Sequence, residues 1–362
     1  MARGNRSTVY LKDVPRYSGA HAPKVSIVVP ARNEAQKIKE ALQSVLKQDY
    51  GNLEFIVLND RSTDATGAIL AELAAKDARL RVEEISELPP GWLGKNYALY
   101  HGAERASGEL LLFTDADVVM DRSTVARAVE YLRANRLDHL AVMPAIRVPS
   151  LALRLFCSAF GVFFSAYMRQ WKAKDPRSSR FIGVGAFNLV TRDAYRAIGT
   201  HQAIAMRPDD DLKLGKLLKK AGYRQDLVFG MGTLVVEWYS SLRELIDGLM
   251  KNSFAGLEYS VAASIAGGIA VLLLNVWPFV AIFVVRGPAW ILYLLVVVAM
   301  LLFIADGNRF YHLPGRYAFA HPLSALLFVY IIWKSMFLAL WTGGISWRGT
   351  HYPLAMLKSN RV

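Results

Sequence analysis

Short apolar runs alternate with helically spaced apolar positions through the first third of the chain. Val25 to Pro30 is a valine-rich run without a charge, and after Asn33 the residues Ile38, Ala41, Leu42, Val45 and Leu46 recur at helical spacing. The pair predicts a strand followed by a helix. Glu54 to Asn59 predicts a second strand, and Asp64 to Lys76 a helix with Ala65, Ile69, Leu70 and Leu73 on one face. A third strand is expected over Arg79 to Ile85, a helix over Lys95 to Ala106, a fourth strand over Glu109 to Thr114 and a later helix over Leu212 to Ala221. Such alternation predicts an α/β domain with a mostly parallel sheet and helices on both faces. Ligands of open α/β sheets sit outside the carboxyl ends of the strands, and here those ends carry Asn33-Glu34, Asp60-Arg61 and Asp115-Ala116-Asp117.

The pattern changes toward the C-terminus. Ser264 to Val285, Ala289 to Ala305 and Leu323 to Trp341 are nearly free of charge over about the length that crosses a bilayer core, so three membrane helices are expected. Trp277, Trp290, Trp333, Trp341 and Tyr293 supply the aromatics that favour membrane interfaces. Leu151 to Trp171 is rich in Leu, Phe, Tyr and Met, is followed by Lys172, Lys174, Arg177 and Arg180, and reads as an interfacial helix able to feed a lipid to the sheet edge. Orientation poses a conflict, because the basic loop Arg309 to Arg316 and the basic tail Arg348 to Arg361 both prefer the cytosol with one span between them. Either Leu323 to Trp341 is re-entrant, or the first span is a hairpin broken at Asn275 to Pro278.

Composition agrees with a membrane-associated chain. Of 362 residues, 53% are hydrophobic and mean hydropathy is +0.23, high for a soluble enzyme. Met1 to Pro23 is polar and basic, so no signal peptide or N-terminal anchor is expected and the first domain should stay in the cytosol. Cys157 is the single cysteine, which excludes an intramolecular disulfide and suits a core residue. Lys plus Arg outnumber Asp plus Glu by 43 to 30, a net charge of +13 that fits anionic headgroups and phosphorylated substrates. No groove-reading or base-stacking module accompanies it, so no nucleic acid is expected. Glycine-rich phosphate loops are also missing after the strands, which argues against dinucleotide oxidoreductases and P-loop NTPases.

The chemistry then falls to carboxylates. Residues two apart on an extended segment point the same way, so Asp115 and Asp117 can share one hard cation such as Mg²⁺ or Mn²⁺. Asp209-Asp210-Asp211 precedes a helix, where the acids either favour the helix N-terminus or repel one another until one acquires a pKa suited to proton transfer. Asp60 and Asp64 also suit turn and helix capping.

Val25-Ser26-Ile27-Val28-Val29-Pro30-Ala31-Arg32-Asn33-Glu34, Leu58-Asn59-Asp60-Arg61-Ser62-Thr63-Asp64-Ala65-Thr66, Gly94-Lys95-Asn96 and the Asp115 triplet, in that order, resemble glycosyltransferase family 2 with its GT-A nucleotide-sugar fold. The resemblance implies that Pro30, Arg32, Glu34 and Asp60 hold the nucleoside, that Lys95 and Asp115 lie near the diphosphate, and that Asp115 and Asp117 bind the cation. It implies that Asp209 or Asp210 takes the proton from an acceptor hydroxyl. Phe181 to Asn188 looks like the family's glycine-containing acceptor-side strand. The Gln-x-x-Arg-Trp signature of processive synthases is missing, with Glu237 to Arg243 in its place, so one transfer per acceptor is expected. Gly91 to Asn96, the C-terminal spans and the tail Trp347-Arg348-Gly349 are similar to bacterial transferases of hopanoid, carotenoid or other lipid glycosylation.

The expectation is therefore an inverting, metal-dependent transferase that moves a sugar from a nucleotide-diphosphate sugar to a hydrophobic acceptor at the bacterial inner membrane. Its parts would be a basic segment 1–23, a cytosolic GT-A domain 24–240, an interfacial linker 241–263, a transmembrane region 264–342 and a basic tail 343–362. A nucleotidyltransferase of related fold and a non-catalytic nucleotide-sugar-binding membrane protein are the alternatives.

Overall fold

The computed structural model describes residues 8–19, 21–360 and 362. Part of the basic N-terminal segment expected over 1–23, and Arg361 of the tail, lie outside the described residues. Its contacts divide the chain into two units, a sheet unit of residues 8–147 and 168–237 with Val362, and a helical unit of residues 148–167 and 238–360.

The sheet unit opens with strand β1 (Val25–Ala31), helix α1 (Ile38–Leu46), β2 (Leu53–Asp60), α2 (Thr66–Ala74), β3 (Leu80–Ile85), α3 (Gly94–Arg105) and β4 (Leu110–Phe113). All seven follow the predicted order. β1, β2 and β4 are buried along almost their whole length, as largely apolar strands covered on both faces should be. β5 (Val118–Met120), α4 (Thr124–Ala134), β6 (His139–Met143) and β7 (Ala145–Arg147) follow. After α5 (Leu151–Met168), which belongs mainly to the helical unit, come β8 (Asn188–Thr191), α6 (Arg192–Ala197), α7 (Asp210–Lys220), β9 (Gln225–Phe229) and β10 (Leu234–Glu237).

Seven strands form one sheet in the order β3-β2-β1-β4-β8-β6-β9, and β5-β10-β7 form a small second sheet. The large sheet is parallel except for β8, which runs antiparallel to both β4 and β6. A core of Val28, Ile56 and Leu58 from the strands packs on Ala98 and Leu99 of α3 and on Leu214 and Leu218 of α7. That packing brings the N-terminal ends of α3 and α7, with their Lys95 and Asp210, to one edge.

One expected strand is corrected. Residues 181–187 are loop and turn, and β8 begins only at Asn188. The segment is pressed against α7 too closely for a ladder. A Cβ on Gly183 would lie 1.8 Å from the Asp211 carbonyl oxygen, and one on Gly215 would lie 1.8 Å from that of Ile182. Its backbone N–H groups donate to side chains instead, Ile182 to Gln225 Oε1 (2.8 Å) and Val184 to Asn188 Oδ1 (3.1 Å).

The helical unit holds α8 (Leu242–Gly256), α9 (Val261–Asn275), α10 (Trp277–Val284), α11 (Pro288–Phe310), α12 (His321–Trp341), the hairpin β11 (Gly344–Trp347) and β12 (Thr350–Pro353), and α13 (Leu354–Ser359). Three stretches among the described residues are long and apolar enough to cross a membrane, 151–172, 288–310 and 315–341. The span expected over Ser264 to Val285 is broken between α9 and α10, within the Asn275 to Pro278 stretch given as one alternative, and neither piece reaches 18 residues. Pro278 supplies no N–H for a continuing helix, and Asn275 turns its Nδ2 back onto the Val271 carbonyl (3.2 Å) while its Oδ1 meets His321 Nε2 (3.0 Å). α8 and α9 meet at a bend of 117°. Gly268 on α9 allows close packing against α12, since a Cβ there would lie 2.3 Å from Trp333 Nε1.

Candidate functional site

Two loops at the carboxyl ends of β1 and β2 are knitted together by short polar side chains. Asn33, in the left-handed region at φ 54°, accepts a hydrogen bond on Oδ1 from the Thr63 N–H (2.8 Å), and its own N–H donates to Ser62 Oγ (3.0 Å). The Glu34 N–H donates to Thr66 Oγ1 (2.8 Å). Asp64 accepts from the N–H groups of Ala35 (3.1 Å) and Thr66 (2.9 Å), so it caps α2 and ties the loops. This lattice holds Pro30, Arg32 and Glu34 at the rim of the sheet.

Asp60 ends β2 and is 3% exposed. Arg61 grips both of its oxygens, Nε to Oδ1 at 2.7 Å and Nη2 to Oδ2 at 3.0 Å, and Arg32 Nη1 lies 3.9 Å from Oδ2. The start of α3 presses on this group, because a Cβ at Gly94 would fall 2.4 Å from Asp60 Oδ2 and 2.6 Å from Arg61 Nη2. A carboxylate and two guanidiniums thus occupy one polar corner beside the first turn of α3.

The next residue, Lys95, joins two clusters that are 95 residues apart in sequence. Its Nζ lies 2.8 Å from Asp115 Oδ1 and 3.5 Å from Asp210 Oδ2. Burial by itself would weaken the ammonium, but Asp115, Asp210 and Asp211 around it outweigh that and hold its pKa well above the ordinary lysine range. Gly185 makes room for the pair, as a Cβ there would lie 2.7 Å from Asp115 Oδ2 and 3.4 Å from Lys95 Nζ. Lys95, Asp115, Gly185, His201, Asp210 and Asp211 line a small cavity of about 10 Å³.

The three consecutive aspartates have separate surroundings. Asp209 is bound bidentately by Arg207, Nε to Oδ1 at 3.0 Å and Nη2 to Oδ2 at 3.2 Å, with Lys213 Nζ 3.5 Å away. Arg207 is itself 0% exposed, so this is an ion pair closed off from solvent. Asp210 reaches toward Lys95 and Asp115. Asp211 accepts from the N–H groups of Gly185 and Leu212, both at 2.8 Å, and burial holds its carboxyl above the usual range against the pull of Lys95. None of these facts is visible in the string Asp-Asp-Asp. Asp209 also makes no side-chain cap to α7.

Asp117 sits on the far side of Asp115. Its carboxyl is pushed up to about 6 by burial and by the charges of Asp115 and Glu34, partly offset by Lys37. Clustered hard-oxygen ligands whose mutual repulsion is only partly relieved suit a divalent cation. No group of three or more His, Cys, Asp or Glu among the described residues is placed to hold a metal alone. A cation at Asp115 and Asp117 would therefore need further oxygens from a phosphorylated ligand, which is the usual habit of Mg²⁺.

Some site residues gave little sign in the sequence. Asn96, 0% exposed, donates from Nδ2 to the carbonyls of Ile204 (2.8 Å), Ala205 (3.1 Å) and Arg207 (2.9 Å), pinning the turn that leads into the triple aspartate. His201 Nδ1 meets Tyr195 Oη at 2.8 Å, and burial lowers its pKa to about 3, so it lines the cavity as a neutral imidazole. The arginine two residues before Asp209 was the one available hint that this carboxylate is paired.

Residues 26–199 match the family described as Glycosyl transferase family 2. A 4,4'-diaponeurosporenoate glycosyltransferase of Staphylococcus aureus (strain MRSA252) is 24% identical over 344 residues, 91% of this chain and 88% of that protein. The protein of the same name from Staphylococcus haemolyticus is 23% identical over 241 residues, where the match covers 66% of this chain and 63% of the relative. Among solved structures, a mannosyltransferase from Pyrobaculum calidifontis in complex with GDP-Man and Mn²⁺ superposes with a TM-score of 0.53 at 21% identity, covering 90% of this chain and 93% of that one. Its likeness bears on the fold. The match over residues 26–199 makes that part of the chain a glycosyltransferase family 2 domain, and the mixed sheet that carries the motifs has the GT-A fold.

Proposed function

We propose that the chain transfers one sugar from a nucleotide-diphosphate sugar to a carotenoid-type, membrane-dissolved acceptor, with inversion at the anomeric carbon. The observation that carries this reading is Lys95 standing between Asp115 and Asp210. Pro30, Arg32, Glu34 and Asp60 would take the nucleoside, and Lys95 would turn to the diphosphate when the donor arrives. Asp210 is then left facing the acceptor and takes its proton as the oxygen attacks the anomeric carbon and the bond to the diphosphate breaks. Asp209 is the poorer base, since both of its oxygens are engaged by Arg207. Asp115 and Asp117 would hold Mg²⁺ or Mn²⁺, which when bound stabilises negative charge on the departing nucleotide. The acceptor class follows the relatives' names, and single transfer follows from the missing processive signature. The apolar helices would anchor the chain in the bacterial inner membrane with the sheet unit in the cytosol, where nucleotide sugars are made.

A second reading concerns the acceptor atom. The relatives' named acceptor is a carboxylate, and a carboxylate attacks without losing a proton. Purified full-length protein, assayed with UDP- and GDP-sugars with and without Mn²⁺, separates these. For a hydroxyl acceptor, Asp210→Asn should lower kcat by roughly 10³-fold while Asp209→Asn acts mainly on stability, and the product should survive mild alkali. A small loss in Asp210→Asn with an alkali-labile ester product would favour the carboxylate. No transfer from any donor by the wild type would reject both.

A further inference from the structure

The helical unit contains a second cleft, of about 530 Å³, with no part in the transfer chemistry. It is framed by α8, the C-terminal end of α12 and the β11–β12 hairpin. Glu244, Asp247, Gly248 and Lys251 of α8 line it at spacings of three, four and seven, which places them on one helix face. The hairpin brings Trp347 and Arg348, a tail motif that the catalytic reading leaves unused. Arg348 and Gly349 turn the chain at φ 47° and 79°, the left-handed pair that a two-residue hairpin turn requires. Lys251 Nζ then lies 4.2 Å from the Trp347 ring centroid. Met250, Leu338, Ala339 and Ile345 give the rest of the wall an apolar strip, beside the hydroxyl-bearing Tyr239, Ser335, Thr342 and Ser346.

Two features select a ligand. The lining charges are two carboxylates and two cations, with Glu244 Oε2 already accepting from the Ser240 N–H (2.8 Å) and Arg243 Nε 4.0 Å from Asp247 Oδ2, so the lining itself carries no net charge. It also lies at the polar end of the 315–341 apolar stretch, where Trp341 is 90% exposed, and so at the level of lipid headgroups. We infer that this cleft binds a zwitterionic glycerophospholipid with a primary-amine headgroup. The phosphate faces Lys251 and Arg348, the ammonium faces Glu244 and Asp247, and the acyl chains follow the apolar wall. An anionic headgroup leaves the carboxylates opposed, and a quaternary ammonium has no N–H to donate to them. The inference rests on the membrane reading of α12 and is independent of the transfer mechanism.

Full-length protein in mild detergent, incubated with mixed micelles of equal phosphatidylethanolamine, phosphatidylglycerol and phosphatidylcholine and reisolated, gives the test by mass spectrometry of retained lipid. Phosphatidylethanolamine should be enriched about tenfold over the other two, the ratio that one charge-assisted contact provides. Lys251→Ala should abolish the enrichment. Glu244→Gln with Asp247→Asn should switch the preference to phosphatidylglycerol, a gain that a misfolded chain does not produce. Equal retention of the three lipids, preference of the wild type for phosphatidylglycerol, or a profile unmoved by the double variant would overturn the inference. Resistance of the chain to alkaline extraction from cell membranes tests the membrane reading separately.

Discussion

In the sheet unit the apolar residues of β1, β2 and β4 are covered, and charge is carried inside as pairs, with Arg207 0% exposed against Asp209. In the helical unit Leu292, Leu302 and Phe283 are 65%, 66% and 84% exposed, while Asn308 is 1% exposed and accepts from Ser158 Oγ at 2.8 Å. With the helical unit in a bilayer, as proposed, the same transfer energies account for both patterns. Where water is the solvent, apolar groups turn inward and any buried charge requires a partner. Where lipid is the solvent, apolar groups gain nothing by turning inward and polar groups gather between helices.

The largest test of this contrast breaks the closed pair. Arg207→Met leaves Asp209 buried with only the more distant Lys213 and should cost about 3 kcal/mol, seen as a lower midpoint in denaturant. An unchanged midpoint would show that water reaches the pair. In the other unit, Leu302→Arg should cost about 3 kcal/mol of insertion and deplete the chain from the membrane fraction. Undiminished yield would mean that water bathes α11. Asp117 tests the charge side by pH. Because its carboxyl is raised in the folded protein, the fold holds that proton more tightly than the unfolded chain does, so the cation-free protein should lose stability as pH rises from about 4 to about 6. Asp117→Asn should then recover about 1 kcal/mol at pH 7, less than the full shift because the half-buried group is partly screened, and should remove activation by Mn²⁺. Thermal melts in EDTA at both ends of that range check the sign. The smallest effect is expected for Asn308→Leu, about 0.6 kcal/mol if lipid surrounds these helices as proposed, because a polar contact between helices in a bilayer is weak.

The sequence was most legible where a residue's role depends on its near neighbours. The first four strands fall within a residue or so of the predicted segments, since short runs rich in Val, Ile, Leu and Phe between turn residues have few other ways to be buried. The acidic clusters at the strand ends were equally visible, and Lys95 joins one of them, at Asp115, to Asp210 at the start of α7. Residues 181–187 misled because their apolar and glycine residues suit a strand as well as a tight crossing, and only α7 behind Gly183 distinguishes these. The break between α9 and α10 falls in the Asn275 to Pro278 stretch that the charge conflict pointed to, although hydropathy alone does not see Asn275 meeting His321.

What the chain determined alone was the order of the first four strands and the helices between them, the apolar length of α11 and α12, and the set of carboxylates available for chemistry. Periodicity and composition are local properties, fixed before any contact forms. Only the tertiary structure decided that Asp209 belongs to Arg207, Asp210 to Lys95 and Asp211 to Gly185. Three identical side chains on adjacent residues differ in charge environment through the partners that folding sets around each, near in sequence for Asp209 and distant for Asp210, and Coulomb and hydrogen-bond energies depend on those distances.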